Sequence, residues 1–437
     1  MTDVDPVPRG EVVETAQRLA AGVDDWLDEN AAQFDPLTGP GPRRREVRQK
    51  AFCELGMYLD SSFARGDDGP TACWERLTER ATTPDYYRQL LRHPQRFPHV
   101  AYPLAALSRR DRLQGRAERV FERTATLPAA RQVGHPTSRQ LDYWHTCLVY
   151  GTRPTDVDRQ ALLQHGYTSD RINAVDADVE TAYGITHELL FYHNFGSGRA
   201  EFPDDPLSYE APDTVVGLLL RFLVEGHVDA VAELLFVGVL QRQLPSGLVR
   251  YALGWLAARV GDDGALRFQT DDTRKLRTYT GVDPELWGDA EMGWRCHYHP
   301  TIVFGMLCRT VAQDWHQIHQ ASPTRPVTHG AVGDQLETLG TALSALSDYS
   351  LERGSEAVAE LAETPVASAY DDVIDHAVEF LRRQSHGPFP GSWVDERRRF
   401  TDETGTRETF RQEILDPLDD RIEATLAAVQ PNEPDTE

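Results

Sequence analysis

Apolar residues recur at three- and four-residue steps along almost the whole chain. Val215, Leu218, Leu219, Phe222 and Leu223 form one such stripe. Val231, Leu234, Leu235, Gly238 and Val239 form a second, and Leu248, Tyr251, Ala252, Trp255 and Leu256 a third. This spacing keeps the apolar side chains on one side of a 3.6-residue repeat, so each segment predicts an amphipathic helix. The breaks fall at Gly226-His227, at Pro245-Ser246 and at Gly261-Asp262-Asp263-Gly264, residues at which helices stop and start. Further helices are expected over 11–30, 44–64, 85–92, 141–150, 179–193, 301–319, 336–351 and 371–383. Long alternating runs of β-branched and aromatic residues are missing, so strands are not expected. The expected class is all-α.

The helical pattern carries no long linker and no low-complexity block. A Pro/Gly loop spans 36–43. The simplest organisation is an N-terminal helical portion over 1–130, continuous with a helical domain over 131–430, and a polar tail over 431–437 that is expected to be disordered. A chain of 437 residues is long enough to bury a sizeable core.

Charge narrows the partners. Lys+Arg number 45 against 69 Asp+Glu, a net charge of -24, and Lys50 and Lys275 are the only lysines. Neutralising phosphates takes an excess of positive charge, so nucleic acid is excluded as a partner, and an anionic membrane surface likewise. An acidic, lysine-poor chain suits a cytoplasm held at molar salt, where self-repulsion is screened; a halophilic prokaryote is the expected source. The five cysteines are odd in number and scattered, which points to a reducing compartment rather than a disulfide framework. The acidic first residues contain no apolar run, and the most apolar stretch, 215–240, is interrupted by Arg221, Glu225, His227, Asp229 and Glu233. Neither a signal peptide nor a bilayer span is expected, and the location read from this is cytoplasmic.

Candidate chemistry gathers in three His-bearing, aromatic-rich segments. The first is Gly293-Trp294-Arg295-Cys296-His297-Tyr298-His299-Pro300. Pro300 disfavours helix at His299, and in extended chain His297 and His299 point to one side. Two imidazoles on one side, with the Cys296 thiol beside them, suit a first-row metal. The second is Glu180, Tyr183 and His187, at helical offsets of three and four, with His193 at the helix end. Here His187 is a candidate general base flanked by Tyr183 and Glu180. The third is Asp142 and His145, three residues apart, which gives an oriented imidazole. In each case the structural alternative is a histidine packed in a helical core. The pair His316 and His319 lacks the Glu and the spacing of helical zinc proteases. No P-loop, dinucleotide fingerprint or nucleophile elbow occurs, and the Asp371-Asp372 and Asp262-Asp263 doublets read as helix starts or turns.

Three helix ends share a pattern of an apolar or aromatic end, a Gly-containing turn and a following aromatic. They are Leu190 to Gly196, Trp255 to Phe268, and Phe380 to Gln384 followed by Gly391-Ser392-Trp393. This pattern resembles the α/α toroids, which include terpene cyclases, protein prenyltransferase β-subunits and lanthipeptide cyclases. The resemblance implies inner and outer helices alternating around a central pocket; a helical-hairpin solenoid fits the same hairpins. Cys296-His297 is similar to the adjacent zinc-binding pair of lanthipeptide cyclases, and the resemblance would make Cys147 the upstream ligand. Tyr298-His299-Pro300 stands where that family has small residues. The segment from Tyr183 to His187, continuing to Phe195-Gly196, also resembles an uncharacterised helical family of bacteria and archaea.

The expectation is thus a metal-dependent enzyme with a central His-lined pocket, acting on a small organic molecule or a peptide. His297, His299, His193, Cys296 and His145 are the candidate ligands of a divalent transition metal, zinc or iron. His187, Tyr183 and Glu180 are the candidate catalytic residues. Two alternatives stand beside it: a non-catalytic helical binding or scaffold protein with structural histidines, and a metal-independent carbohydrate-active toroid using Glu180 and Glu291.

Overall fold

Helices form where the apolar stripes lie, and their ends carry visible stop and start chemistry. The computed structural model describes residues 6–39, 42–131, 136–152, 154, 158–168, 172–196, 211–242, 244–267, 289–321, 332–348, 350–361, 364 and 370–386. All regular structure in them is helical: α1 (Val12–Glu29), α2 (Pro42–Ala64), α3 (Thr71–Ala81), α4 (Pro84–Arg92), α5 (Phe97–Arg109), α6 (Arg116–Ala125), α7 (Thr137–Tyr150) and α8 (Arg159–Leu163). There follow α9 (Val179–Tyr192), α10 (Ala211–Glu225), α11 (Val228–Gln241), α12 (Ser246–Ala257), α13 (Asp289–Ala321), α14 (Val332–Ser347), α15 (Leu351–Leu361) and α16 (Asp371–His386). Among the described residues the sole extended pairing is an isolated bridge, Val260 to Leu266. No described helix is long and apolar enough to cross a membrane.

The predicted break at Gly226-His227 holds, and other helix ends carry equally local chemistry. Gly226 takes φ +77°, and the His227 ring then accepts from the Ala230 amide at 3.3 Å to start α11. Asp178 caps α9 by accepting from the Thr181 amide at 2.8 Å. Gly151, at φ +99°, ends α7 in the left-handed region.

The expected break at Pro300 is absent. α13 runs through Pro300 without interruption, so His297 and His299 lie on a helix, two residues and about 200° apart, and not side by side on an extended segment. A proline costs a helix one hydrogen bond, while α13 packs along α1, α2 and α11; that burial outweighs the local preference. Gly305 permits the approach, since a Cβ there would meet the Tyr58 ring at 2.6 Å and Val23 at 2.7 Å.

The packing order explains where the cavity sits. α2 packs on α5, α5 on α7, α7 on α9, α9 on α11, α11 on α13, and α13 returns to α2. Between successive members of this cycle the chain passes through α3 and α4, α6, α8, α10 and α12. α14, α15 and α16 pack on one another, and α14 and α16 also reach α10. One hydrophobic cluster runs through all of this, from Val7 to Leu381. Residues 391–393 of the third helix-end pattern, Phe268, and the tail over 431–437 lie outside the described residues.

Candidate functional site

The cycle of helices encloses a cavity with two parts. An inner chamber of about 190 Å³ is lined by all six members, with Met57, Leu190, Phe191, Phe195, Val303 and Met306 forming its apolar wall. An outer cleft of about 500 Å³ adjoins it, lined by polar groups that include Lys50, Arg139, Arg295 and Glu180. Lys50, Ser138, Arg139, His187, Glu233 and His299 line both. Along α2, α9, α11 and α13 the lining residues pass from cleft to chamber in the N-to-C direction. Those helices therefore run parallel, with their N-terminal ends around the cleft.

At the junction stand Asp229 and Glu233, one turn apart on α11. Every residue of α11 from Val228 to Val239 is buried, and these two carboxylates are 7% and 1% exposed. Buried charges in such a helix cost several kcal/mol unless paired and hydrogen-bonded. Both are. The Tyr183 hydroxyl donates to Asp229 Oδ2 at 2.7 Å, and the Thr186 hydroxyl donates to Glu233 Oε2 in a short bond. Their second oxygens turn towards His299. Its Nε2 lies 3.1 Å from Glu233 Oε1 and 3.7 Å from Asp229 Oδ1. On the far side of the ring, His299 Nδ1 is 3.3 Å from Glu54 Oε2, and Lys50 Nζ is 3.4 Å from Glu54 Oε1. His187 Nε2 completes the group at 3.7 Å from Glu233 Oε1.

Electrostatics follows from this crowding. Burial works against a charged Glu233, but His187 and His299 overcome it and hold the carboxyl below its ordinary range. Glu54 is held low in the same way by Lys50 and then His299. Burial likewise disfavours a charged His299, yet Glu54 and Asp229 raise it well above an ordinary histidine. Asp142, which lines the chamber, behaves oppositely: burial pushes its carboxyl up to about 7, with Arg139 only partly opposing.

Asp229, Glu233 and His299 each offer a ligand atom, all within 4.8 Å of one another. Donors bound about 2.1 Å from one ion stand roughly 3.0–3.4 Å apart in octahedral or tetrahedral shells; the Glu233 spacing to His299, 3.1 Å, falls in that range and the Asp229 spacing, 3.7 Å, lies just beyond it. Asp229 Oδ1, aimed at this point, is a buried atom without a hydrogen bond among the described residues. One histidine and two carboxylates make a borderline-to-hard donor set that fits zinc, iron or manganese.

The structure gathers some of the sequence-derived candidates and disperses others. His299 is in the cluster, and His187 and Tyr183 adjoin it. Glu180, in the first turn of α9, and Cys296 line the outer cleft; the Cys296 thiol lies 3.6 Å from Met292 Sδ. His297 turns towards Arg267 and Asp263, and burial lowers it to about 4. His193 lies beyond the end of α9 with its ring edge-on to Tyr192. His145 is fully buried against Tyr102, Phe191 and Phe195. Cys147 is buried in the core, and the side chain of Glu291 lies outside the described residues.

Lys50, Glu54, Asp229 and Glu233 were not singled out by the sequence reading. Two signals for them exist: an acidic pair at i,i+4 inside the most apolar helix, and a lysine in a chain that has two.

Fold and site together define an all-helical protein with a carboxylate–histidine cluster at the centre of its helices. Residues 20–309 match the model of a family described as a domain of unknown function, DUF6895, and the chain belongs to that family. The whole cluster, from Lys50 to His299, lies inside the matched stretch. No curated protein and no solved structure matches the chain.

Proposed function

We propose that this protein is a metal-dependent enzyme acting on a small organic molecule, with a divalent transition-metal ion held by Asp229, Glu233 and His299. One observation carries the reading: each of the three donors has its other polar atom already engaged. Tyr183 holds Asp229, Thr186 holds Glu233, and Glu54, charge-balanced by Lys50, stands against the far nitrogen of His299. Such outer partners fix the tautomer and aim of a metal ligand, and they are what a metal site needs beyond its donors. A bound ion would supply Lewis acidity or lower the pKa of a bound water. Beside it, His187, 44% exposed with its Nε2 towards Glu233, is the group placed to take up or give back a proton. Tyr183 is committed to Asp229 and acts as a positioning residue.

Two wider readings accompany this one. The six-membered cycle of helices, with further helices intervening in the chain between successive members, supports an α/α toroid. The acidic, arginine-dominated composition supports adaptation to high salt.

The second functional reading is a non-catalytic protein in which His299 is a structural cation. It is favoured by His299 lying between Glu54, Asp229 and Glu233, where a protonated ring pairs without any ion. Elemental mass spectrometry on protein purified in high salt without a metal-affinity tag separates the two. Near-stoichiometric metal that is lost in a folded Asp229→Asn/Glu233→Gln variant supports the enzyme. Metal-free protein after dialysis against zinc, iron or manganese removes it in favour of the structural cation.

A further inference from the structure

The cavity is more polar in its outer cleft and more apolar in its inner chamber, and this gradient points to a class of substrate. The inner chamber, about 190 Å³, is walled chiefly by Met57, Leu190, Phe191, Phe195, Val303 and Met306, with His99, Arg139, Asp142 and the cluster itself completing the lining. A dry apolar cavity of about 150 Å³ accepts benzene, so this chamber matches one six-membered ring or a short branched chain. Its wall is held at a conformational cost. Asn194 and Phe195 take φ +51° and +50°, a left-handed region that side-chain-bearing residues rarely adopt. The Ser61 hydroxyl donates to the Phe195 carbonyl at 3.1 Å and fixes the bend from α2. Strain that sets an aromatic ring against a cavity is characteristic of a binding wall.

The outer cleft has the complementary character. With a dication on Asp229 and Glu233, and Lys50 paired with Glu54, the ionised groups left in the cleft include Arg139, Arg295 and the exposed Glu180. Arg139 stands where cleft and chamber meet, 45% exposed and with one guanidinium nitrogen 2.7 Å from His99 Nε2, and Arg295 lies half-buried with its guanidinium 5.4 Å above the Tyr298 ring. The first turns of α7, α9 and α11 also open here, through Ser138, Glu180 and Asp229. They add partial positive charge to the cationic side.

We propose that the cavity takes an organic acid: its apolar group fills the inner chamber, its carboxylate or phosphate meets Arg139 and Arg295 in the cleft, and its reacting atoms lie between them beside His187. This assignment rests on the proposed central site and names the substrate class for it.

The test is calorimetric binding to protein dialysed against zinc, with metal content read on the same samples. The probes are hydrocinnamate, phenethyl phosphate and the uncharged hydrocinnamamide. At least one acid is expected to bind tenfold or more tighter than the amide, and the tighter acid identifies the headgroup. Met306→Trp fills the chamber and is expected to weaken that acid at least tenfold with its zinc retained. Phe195→Ala enlarges the chamber and relieves the bend; it is expected to shift preference at least tenfold towards naphthylpropionate, which keeps the proposal testable if the tryptophan variant does not fold. An amide that binds as well as both acids overturns the proposal, as do unchanged acid affinities in folded chamber variants. Zinc retained with no acid bound overturns this inference alone. An acid bound by zinc-free protein overturns the metal reading and leaves the chamber assignment standing.

Discussion

Asp142 shows how burial alone sets chemistry at a single residue. It is 2% exposed, its Oδ1 has no hydrogen bond among the described residues, and Arg139 stays 3.8 Å away. The folded state therefore holds a proton that the unfolded chain releases near 3.8, up to about pH 7. Between those values the native state binds more protons, so stability falls as pH rises through that window, by at most about 4 kcal/mol. Denaturant titrations across it should show this slope, and Asp142→Asn should abolish it and be the more stable protein at pH 8. The residues that aim the cluster make a second prediction. Tyr183→Phe and Thr186→Ala should each weaken metal binding about 10- to 100-fold without unfolding the protein, read by competition with a chelating dye. Equal affinity in both variants would separate these hydroxyls from any metal.

Elements were legible in the sequence where a helix is bounded by its own residues. The readings over 11–30 and 179–193 correspond to α1 and α9; Asp178, which caps α9, acts within one turn of where it stands, as Gly226 does between α10 and α11. Pro300 misled for the same reason: its preference is local, and contacts that overrule it come from α1 and α2, far away in the chain. With that helix restored, His297 separates from His299, and the expected ligand pair dissolves. Asp229 and Glu233 were visible as interruptions of an apolar run, yet their partners Tyr183, Thr186 and His299 come from two other helices. One sequence does not display such convergence. The close approach at Gly305 belongs to this scale as well. Gly305→Ala should press on Tyr58 and Val23 and cost about 1–3 kcal/mol, seen as a lower Tm with the helical circular dichroism retained.

At the scale of the molecule, charge and topology make separate demands. A net charge of -24 repels itself across the whole surface. Raising salt from about 0.1 M to about 1 M shortens the screening length from roughly 10 Å to 3 Å, so Tm should climb with sodium chloride. A flat or falling Tm would count against salt adaptation.

Topology acts through the one junction in the cycle of helices whose neighbours are remote in sequence. α2 and α13 meet there, clasped by Arg309, which bonds the Tyr58 hydroxyl and pairs with Asp24 and with Asp67, the last at 3.0 Å. Every other junction forms between near neighbours along the chain, so this one must close late. The cavity is open-sided until it does. The clasp is thus also the latch of the chamber. An Arg309→Met protein that still folds would breathe at that seam, exchanging amide hydrogens of α2 and α13 ahead of the rest and admitting water to the chamber.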